Sequence, residues 1–219
     1  MIGVLVSGEG TNLQALLDAG LPVAAVASNR PGVQALERAA AAGVPARVFA
    51  LDDYPDRDAS DSALADWLEE RGVELVVCAG YMQLLRPSFL VRFPGRVVNV
   101  HPAPLPAFPG AHPLEDLLAA GASEAAATVH YVDDGVDTGE VIASESVPVL
   151  AGDTIETLRE RVHAAEHRLL PEVVRRLVAE DEASLAPMTT KGMTSLSPTT
   201  EGETHGEGEA SLAPMTIKE

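Results

Sequence analysis

At 219 residues, 46% of them hydrophobic, the chain has the length and apolar content of one α/β domain, or of one domain with a tail. Its formal charge of −18 argues against broad binding to nucleic acid or anionic membranes, which need positive surface, and its single cysteine excludes an intrachain disulfide. No apolar run approaches the ~18 residues that cross a bilayer, and Met1-Ile2-Gly3-Val4 lacks the charged, then long apolar start of a signal peptide, so a cytoplasmic protein is expected.

Ile2 to Val6 reads as a strand that breaks at Ser7-Gly8-Glu9-Gly10-Thr11-Asn12, after which Leu13, Leu16 and Leu17 recur at helical spacing. Such a turn either presents backbone N–H groups and the helix's positive end to an anion or is a plain connection; Asn12 or Thr11 is the expected cap. Leu21 to Ala27 reads as a second strand, Pro31 as lying near the start of a helix through Ala42, and Ala46 to Phe49 as a third strand. Asp61 to Arg71 carries Leu64, Trp67 and Leu68 on one stripe and reads as an amphipathic helix, with Trp67 in the core. A fourth strand follows over Glu74 to Ala79, in which Cys78 is expected to be a small buried hydrophobe. Gly80-Tyr81-Met82-Gln83-Leu84-Leu85 then forms either an apolar shelf at the strand's carboxyl end or packing under a loop.

In Val97-Val98-Asn99-Val100-His101 the valines predict a buried strand, and alternation puts Asn99 and His101 on one face at its carboxyl end. Pro102, Pro104, Pro106 and Pro109 forbid both helix and ladder pairing, so a stiff turned loop must follow. Pro113 to Ala120 reads as a short helix. Ala127 to Val132 and Val141 to Val149 read as strands joined by the acidic turn 133–139, which carries Asp133 and Asp137, and are expected to form an antiparallel edge. Thr154 to Val178 reads as a long helix, capped by Asp153 or Thr154 and interrupted at Pro171, whose His163, Glu166 and His167 fit a solvated face. The expected architecture is an α/β domain with a mostly parallel, Rossmann-like sheet, helices on both faces and an antiparallel edge. From Asp181 onward Gly, Ser, Thr, Glu and Pro dominate, and the run 182–189 recurs at 209–216. An acidic, repeat-containing disordered tail is expected over 181–219, after a catalytic domain over 1–180.

Strand order brings an amide, an imidazole and a carboxylate, from Asn99, His101 and Asp137, to one rim. The set suits stabilisation of an oxyanion and proton movement between an attacking and a leaving amine, which is acyl transfer to nitrogen. Histidine and cysteine do not fall at metal-ligand spacing, and no Gly-x-Ser-x-Gly elbow is present; no metal is expected. Histidines aside, every basic residue from 1 to 180 is arginine, which argues against Schiff-base chemistry and a P-loop lysine.

Asn99-Val100-His101-Pro102, Leu105-Pro106, Phe108-Pro109-Gly110 and Val136-Asp137-Thr138-Gly139 resemble the phosphoribosylglycinamide formyltransferases, folate-dependent enzymes of purine synthesis. Ser7-Gly8-x-Gly10-Thr11-Asn12-Leu13 and Ala79-Gly80-Tyr81-Met82 are similar as well, so the likeness spans about residues 1 to 180. It implies the formyltransferase fold, formyl transfer from 10-formyltetrahydrofolate as co-substrate to the glycine amine of glycinamide ribonucleotide, and a monomer or homodimer with small-molecule partners. It further implies Asn99, His101 and Asp137 as the catalytic set, Gly10, Thr11 and Asn12 as the phosphate cradle, and Glu166 as a partner of the ribose hydroxyls. Met82, Gln83, Leu84, Leu85 and Asp133 would bound the folate, with His130 close by. The family often carries a basic residue where Gln83 stands and, in some members, an Arg in place of Ser62; Arg57 or Arg86 is the candidate substitute toward the folate's carboxylates. Relatives that formylate initiator tRNA carry Trp-Arg-Gly in place of Phe108-Pro109-Gly110 and a basic carboxyl-terminal domain.

Overall fold

The structure is a computed structural model that describes residues 1–185; residues 186–219, which hold most of the repeats and of the expected tail, lie outside the described residues. Seven strands form one sheet: β1 (Ile2–Val6), β2 (Val23–Ser28), β3 (Ala46–Val48), β4 (Leu75–Cys78), β5 (Val97–His101), β6 (Glu124–Tyr131) and β7 (Val141–Pro148). They lie in the order β3-β2-β1-β4-β5-β6-β7. The first five are parallel, and β6 and β7 add the antiparallel edge that the sequence predicts. The chain winds outward from β1 to β3, then returns beside β1 at β4 and winds the other way. The resulting switch point lies between β1 and β4, and a crevice for ligands opens outside the carboxyl ends of such strands.

The central strands are buried on both faces, as parallel strands covered by helices must be. Alternation divides them between two cores: Val4, Val6 and Val77 pack on one side, and Leu5, Val76 and Cys78 on the other. The first side is covered by α1 (Thr11–Asp18), α2 (Gln34–Ala41), α5 (Pro113–Ala119) and α6 (Ile155–Leu185) through residues such as Leu13, Ala35, Leu117 and Leu158. The second is covered by α3 (Arg57–Glu69) and α4 (Pro87–Leu90) through Leu64, Trp67, Leu68 and Phe89. Trp67 meets Phe49 edge-on with ring centroids 5.6 Å apart, inside this core as the sequence predicts. Burial pushes the Cys78 thiol up to about 12, so it is an inert packing residue.

Several boundaries differ from the sequence reading for identifiable reasons. Neither Thr11 nor Asn12 caps α1: the N-cap is Gly10, at φ 73° and without a side-chain bond. Pro31 lies in the turn that leads into α2, near its start as expected. α3 starts one turn earlier than its apolar stripe, because the Asp56 carboxylate accepts from Ala59 N–H at 2.8 Å. α6 is not interrupted at Pro171 and extends past Val178 to Leu185; Pro171 is itself buried against the domain. At its start both proposed residues act, Thr154 Oγ1 accepting from Thr157 N–H at 3.3 Å and Asp153 Oδ1 accepting from Thr157 Oγ1 at 2.9 Å. Among the described residues no helix is long and apolar enough to cross a membrane.

Candidate active site

Asn99 and His101 occupy alternate positions of β5, opposite His130 and Thr128 of β6, and so project to one side at the strand's carboxyl end. The loop that follows turns back over them. His101 Nε2 donates to the Phe108 carbonyl at 2.8 Å, and Gly110 N–H donates to Asp137 Oδ2 at 2.8 Å. Among the described residues two non-glycine residues have positive φ, Phe108 at 56° and Asp137 at 53°. Both are the residues that make these contacts, which is where backbone strain is retained when surrounding structure enforces it. Gly139 shapes the same turn: a Cβ there would lie 1.8 Å from the Tyr131 carbonyl oxygen.

Asp137 sits at the centre of this constellation. Its Oδ2 is 3.4 Å from His101 Nδ1, and its Oδ1 is 3.5 Å from both Asn99 Nδ2 and His130 Nε2. Because a carbonyl only accepts, the Phe108 contact places a proton on His101 Nε2 and leaves Nδ1 as the nitrogen facing the carboxylate and the cleft. The same logic puts a proton on His130 Nδ1, which bonds the Tyr131 carbonyl at 2.8 Å, and leaves Nε2 facing Asn99 Nδ2 at 3.1 Å. Burial is the largest influence on Asp137 and pushes its carboxyl up. The His130 imidazole 3.5 Å away and the His101 imidazole, when cationic, together with the Gly110 hydrogen bond, outweigh it and hold the group below the ordinary carboxylate range. Asp137 is therefore an ionised acceptor at neutral pH.

Two adjoining clefts open onto this centre and share Asn99 and Asp137. One, of about 480 Å³, is lined by Tyr81, Gln83, Leu84, His130 and Asp133; the other, of about 880 Å³, by Met82, His101, Gly110 and Val136. Met82 and Leu84 are well exposed, as a shelf for a flat ring requires, whereas Leu85 turns inward to the core beside Phe89 and offers the cleft only an edge. Asp133 lines the cleft but spends its Oδ1 on the turn, accepting from Thr138 Oγ1 at 2.7 Å and Gly135 N–H at 3.0 Å. Tyr81, which the sequence reading did not single out, lines both clefts and donates to Gln83 Oε1 at 3.1 Å. Of the two arginines near the shelf, Arg57 bonds Asp61 and the Leu84 carbonyl, while Arg86 is half exposed.

Across the crevice Gly10, Thr11 and Asn12 open α1, and Asn12 Nδ2 donates to Glu166 Oε2 of α6 at 2.8 Å. Glu166 is 3% exposed, so it does not lie on the solvated face expected of it. Burial pushes its carboxyl up to about 7 against the opposing Asn12 hydrogen bond. Asn12 Oδ1 is buried and has no partner among the described residues. A Cβ on Gly10 would lie 2.6 Å from Ala35 Cβ and 2.8 Å from Ala35 Cα, so it would run into α2.

The comparisons with known proteins point the same way. The family model described as formyl transferase matches residues 1–174. The phosphoribosylglycinamide formyltransferase of Mycobacterium tuberculosis is 45% identical over 194 residues, covering 86% of this chain and 90% of that protein. The trifunctional purine biosynthetic protein adenosine-3 of Drosophila pseudoobscura pseudoobscura is 44% identical over 186 residues, 81% of this chain, and the chain spans 14% of that much longer protein. Among solved structures, glycinamide ribonucleotide transformylase 1 from Symbiobacterium toebii superposes with a TM-score of 0.80 at 49% identity, covering 82% of this chain and 87% of that one. With a seven-stranded sheet of the same fold and a family match that runs from β1 into α6, the chain belongs to the formyl transferase family.

Proposed function

We propose that this chain transfers the formyl group of 10-formyltetrahydrofolate to the glycine amine of 5'-phosphoribosylglycinamide, giving formylglycinamide ribonucleotide and tetrahydrofolate in purine synthesis. The observation that carries this reading is the convergence of Asn99, His101 and Asp137 at a cleft that the apolar Met82 and Leu84 also line. The names of the similar proteins support the substrates.

As the amine attacks, a nitrogen–carbon bond forms and negative charge develops on the formyl oxygen. Asn99 Nδ2 and His101 Nδ1, when protonated, donate hydrogen bonds to it, in a partly buried site where such bonds strengthen. Asp137, held ionised, keeps a cationic His101 favourable and is the acceptor for the proton that leaves the attacking amine, directly or through a water. The carbon–nitrogen bond to the folate then breaks, and the same proton goes to the departing nitrogen. Gly10, Thr11 and Asn12 hold the phosphate at the α1 N-terminus. Glu166 accepts from the ribose hydroxyls. Met82, Gln83, Leu84, Leu85 and Asp133 bound the folate, and His130 fixes Asn99. The reading requires no metal, places the enzyme in the cytoplasm and takes small molecules as its partners. It assigns catalysis to residues 1–180 and none to the rest.

Incubation of the purified chain with both substrates, followed by mass-spectrometric detection of formylated ribonucleotide, tests the reaction. Absence of product with both substrates bound would overturn it. Removal of residues 186–219 is expected to leave turnover within about twofold and the melting temperature unchanged, because few large apolar residues occur there to offset ordering entropy. A lower melting temperature on truncation would show that the segment packs on the domain.

A further inference from the structure

The geometry points to Ser7 as a positioning residue for the folate shelf: its buried hydroxyl, which stands in the ribonucleotide turn by sequence, sets the main chain of the loop that carries Met82, Gln83 and Leu84. This inference rests on the substrate assignment proposed above. Ser7 is 4% exposed, and its Oγ donates to Asn29 Oδ1 at 2.6 Å while accepting from Met82 N–H at 2.8 Å. Ser7 and Asn29 stand one residue beyond β1 and β2, and Met82 lies in the loop beyond β4. These three strands are neighbours, in the order β2-β1-β4. One oxygen therefore ties three strand ends at the switch point of the sheet.

The direction of this tie is fixed by chemistry. A hydroxyl has one proton and a carboxamide oxygen only accepts, so the Ser7 proton is committed to Asn29 and its lone pairs are left for Met82. Asn29 thus orients the hydroxyl that orients the shelf. The Met82 side chain is 62% exposed and cannot hold the loop by packing. At its other end the loop is clamped separately, by Arg86 N–H donating to Asp61 Oδ2 at 2.9 Å and by the Arg57 bond to the Leu84 carbonyl. Loss of Ser7 Oγ frees one end of the shelf and leaves a partly buried N–H without its acceptor.

The ribonucleotide turn does not depend on the same atom. The Gly8 carbonyl accepts from Ala35 N–H at 3.1 Å and the Glu9 carbonyl from Arg38 Nε at 2.8 Å, so α2 holds that turn from outside. Removing the Ser7 hydroxyl is consequently expected to separate the two substrates, which a loss of general stability would not do.

The test is steady-state kinetics of the full chain with each substrate varied, for wild type, Ser7→Ala and Asn29→Ala, with melting temperatures alongside. Ser7→Ala is expected to raise KM for 10-formyltetrahydrofolate by roughly tenfold, the scale of one unmet buried hydrogen bond. KM for the ribonucleotide should stay within about twofold and kcat should change little. Asn29→Ala is expected to move KM for the folate in the same direction by a smaller factor, and it decides alone if Ser7→Ala does not fold. Equal rises for both substrates, or an unchanged folate KM in any variant that folds, would overturn the inference. Wild-type chain that binds both substrates without turnover would instead overturn the assigned reaction.

Discussion

Two carboxylates, Asp137 partly buried in the β6–β7 turn and Glu166 fully buried on α6, are both pushed up by burial. In the turn between β6 and β7, Asp137 receives a backbone N–H and lies within 3.5 Å of two imidazoles, and its carboxyl falls below the ordinary range. At the α1–α6 seam, Glu166 receives one amide N–H, and its carboxyl rises to about 7. The difference is compensation: positive and N–H partners decide whether a buried acid is kept as an anion or pushed toward its neutral form. The first arrangement suits a group that must accept a proton. The second leaves acceptors short of donors, Asn12 Oδ1 among them, and suits a site whose donors arrive with the ligand.

The contrast breaks most severely at Asp137. Asp137→Asn and His101→Ala are each expected to lower turnover by about 10²-fold or more, about 3 kcal/mol, while both substrates still bind. Neither change touches the α1 turn or the Met82 shelf. The double variant should lose far less than the product of the single losses if, as proposed, the two groups act on one proton and one oxyanion. Single-turnover rates with binding measured separately check both statements. Multiplicative losses would make His101 and Asp137 independent.

Gly10 gives the next largest effect, and its nature differs from what the sequence suggests. If the 7–12 turn offers its backbone N–H groups to an anion, a side chain at Gly10 would be expected to obstruct the phosphate. Instead the missing Cβ makes room for Ala35 of α2, and φ of 73° adds backbone strain for any L side chain. Gly10→Val is therefore expected to destabilise the domain by about 3 kcal/mol or more, the scale of overpacking combined with a left-handed β-branched residue. Chemical denaturation without ligand reads this directly. A variant of wild-type stability with only a raised ribonucleotide KM would restore the anion reading.

That outcome illustrates which features are legible in a sequence. The strands are, because Ile2–Val6, Leu75–Cys78 and Val97–His101 are dense apolar runs whose burial both predicts and causes them. Asn99 and His101 are legible too, since their spacing of two within a strand forces one face. Asp137 is brought to the same rim by strand order, but the positive φ that aims its carboxylate at His101 and Gly110 N–H is not read from the residue types. Glu166 reads as solvated because its helix neighbours include His163, His167 and Arg168; only the packing of α6 on α1 buries it against Asn12. Ser7 reads as one member of a glycine turn, because its partners Asn29 and Met82 come from two other strand ends. The four-residue α4 has one local signal, Pro87 at its first turn, and is too short for periodicity to show.

The smallest effect sharpens the comparison from the other side. A group whose folded-state pKa is raised contributes stability that is fully present below its ordinary value of 4.5 and is lost as pH rises through about 7, so ionised Glu166 burdens the ligand-free fold above neutrality. Asp137 has the opposite sign: its contribution is present above the ordinary carboxylate range and is lost only as pH falls through its lowered value. Glu166→Gln is therefore expected to stabilise the ligand-free chain at pH 8 by on the order of 1–3 kcal/mol, an upper figure set by the size of the rise. The gain should vanish at pH 4, where wild-type Glu166 is already neutral. An amide also brings N–H donors to the seam where Asn12 Oδ1 lacks one. The same substitution should raise KM for the ribonucleotide several-fold, because the proposed charged acceptor of ribose hydroxyls becomes a neutral one. Melting temperatures at pH 4 and pH 8, with ribonucleotide binding at pH 8, distinguish the outcomes. Stabilisation at pH 8 with weakened binding marks an acid retained for its ligand at a cost to the fold, whereas destabilisation at pH 8 would make the Asn12–Glu166 bond a structural clamp between α1 and α6.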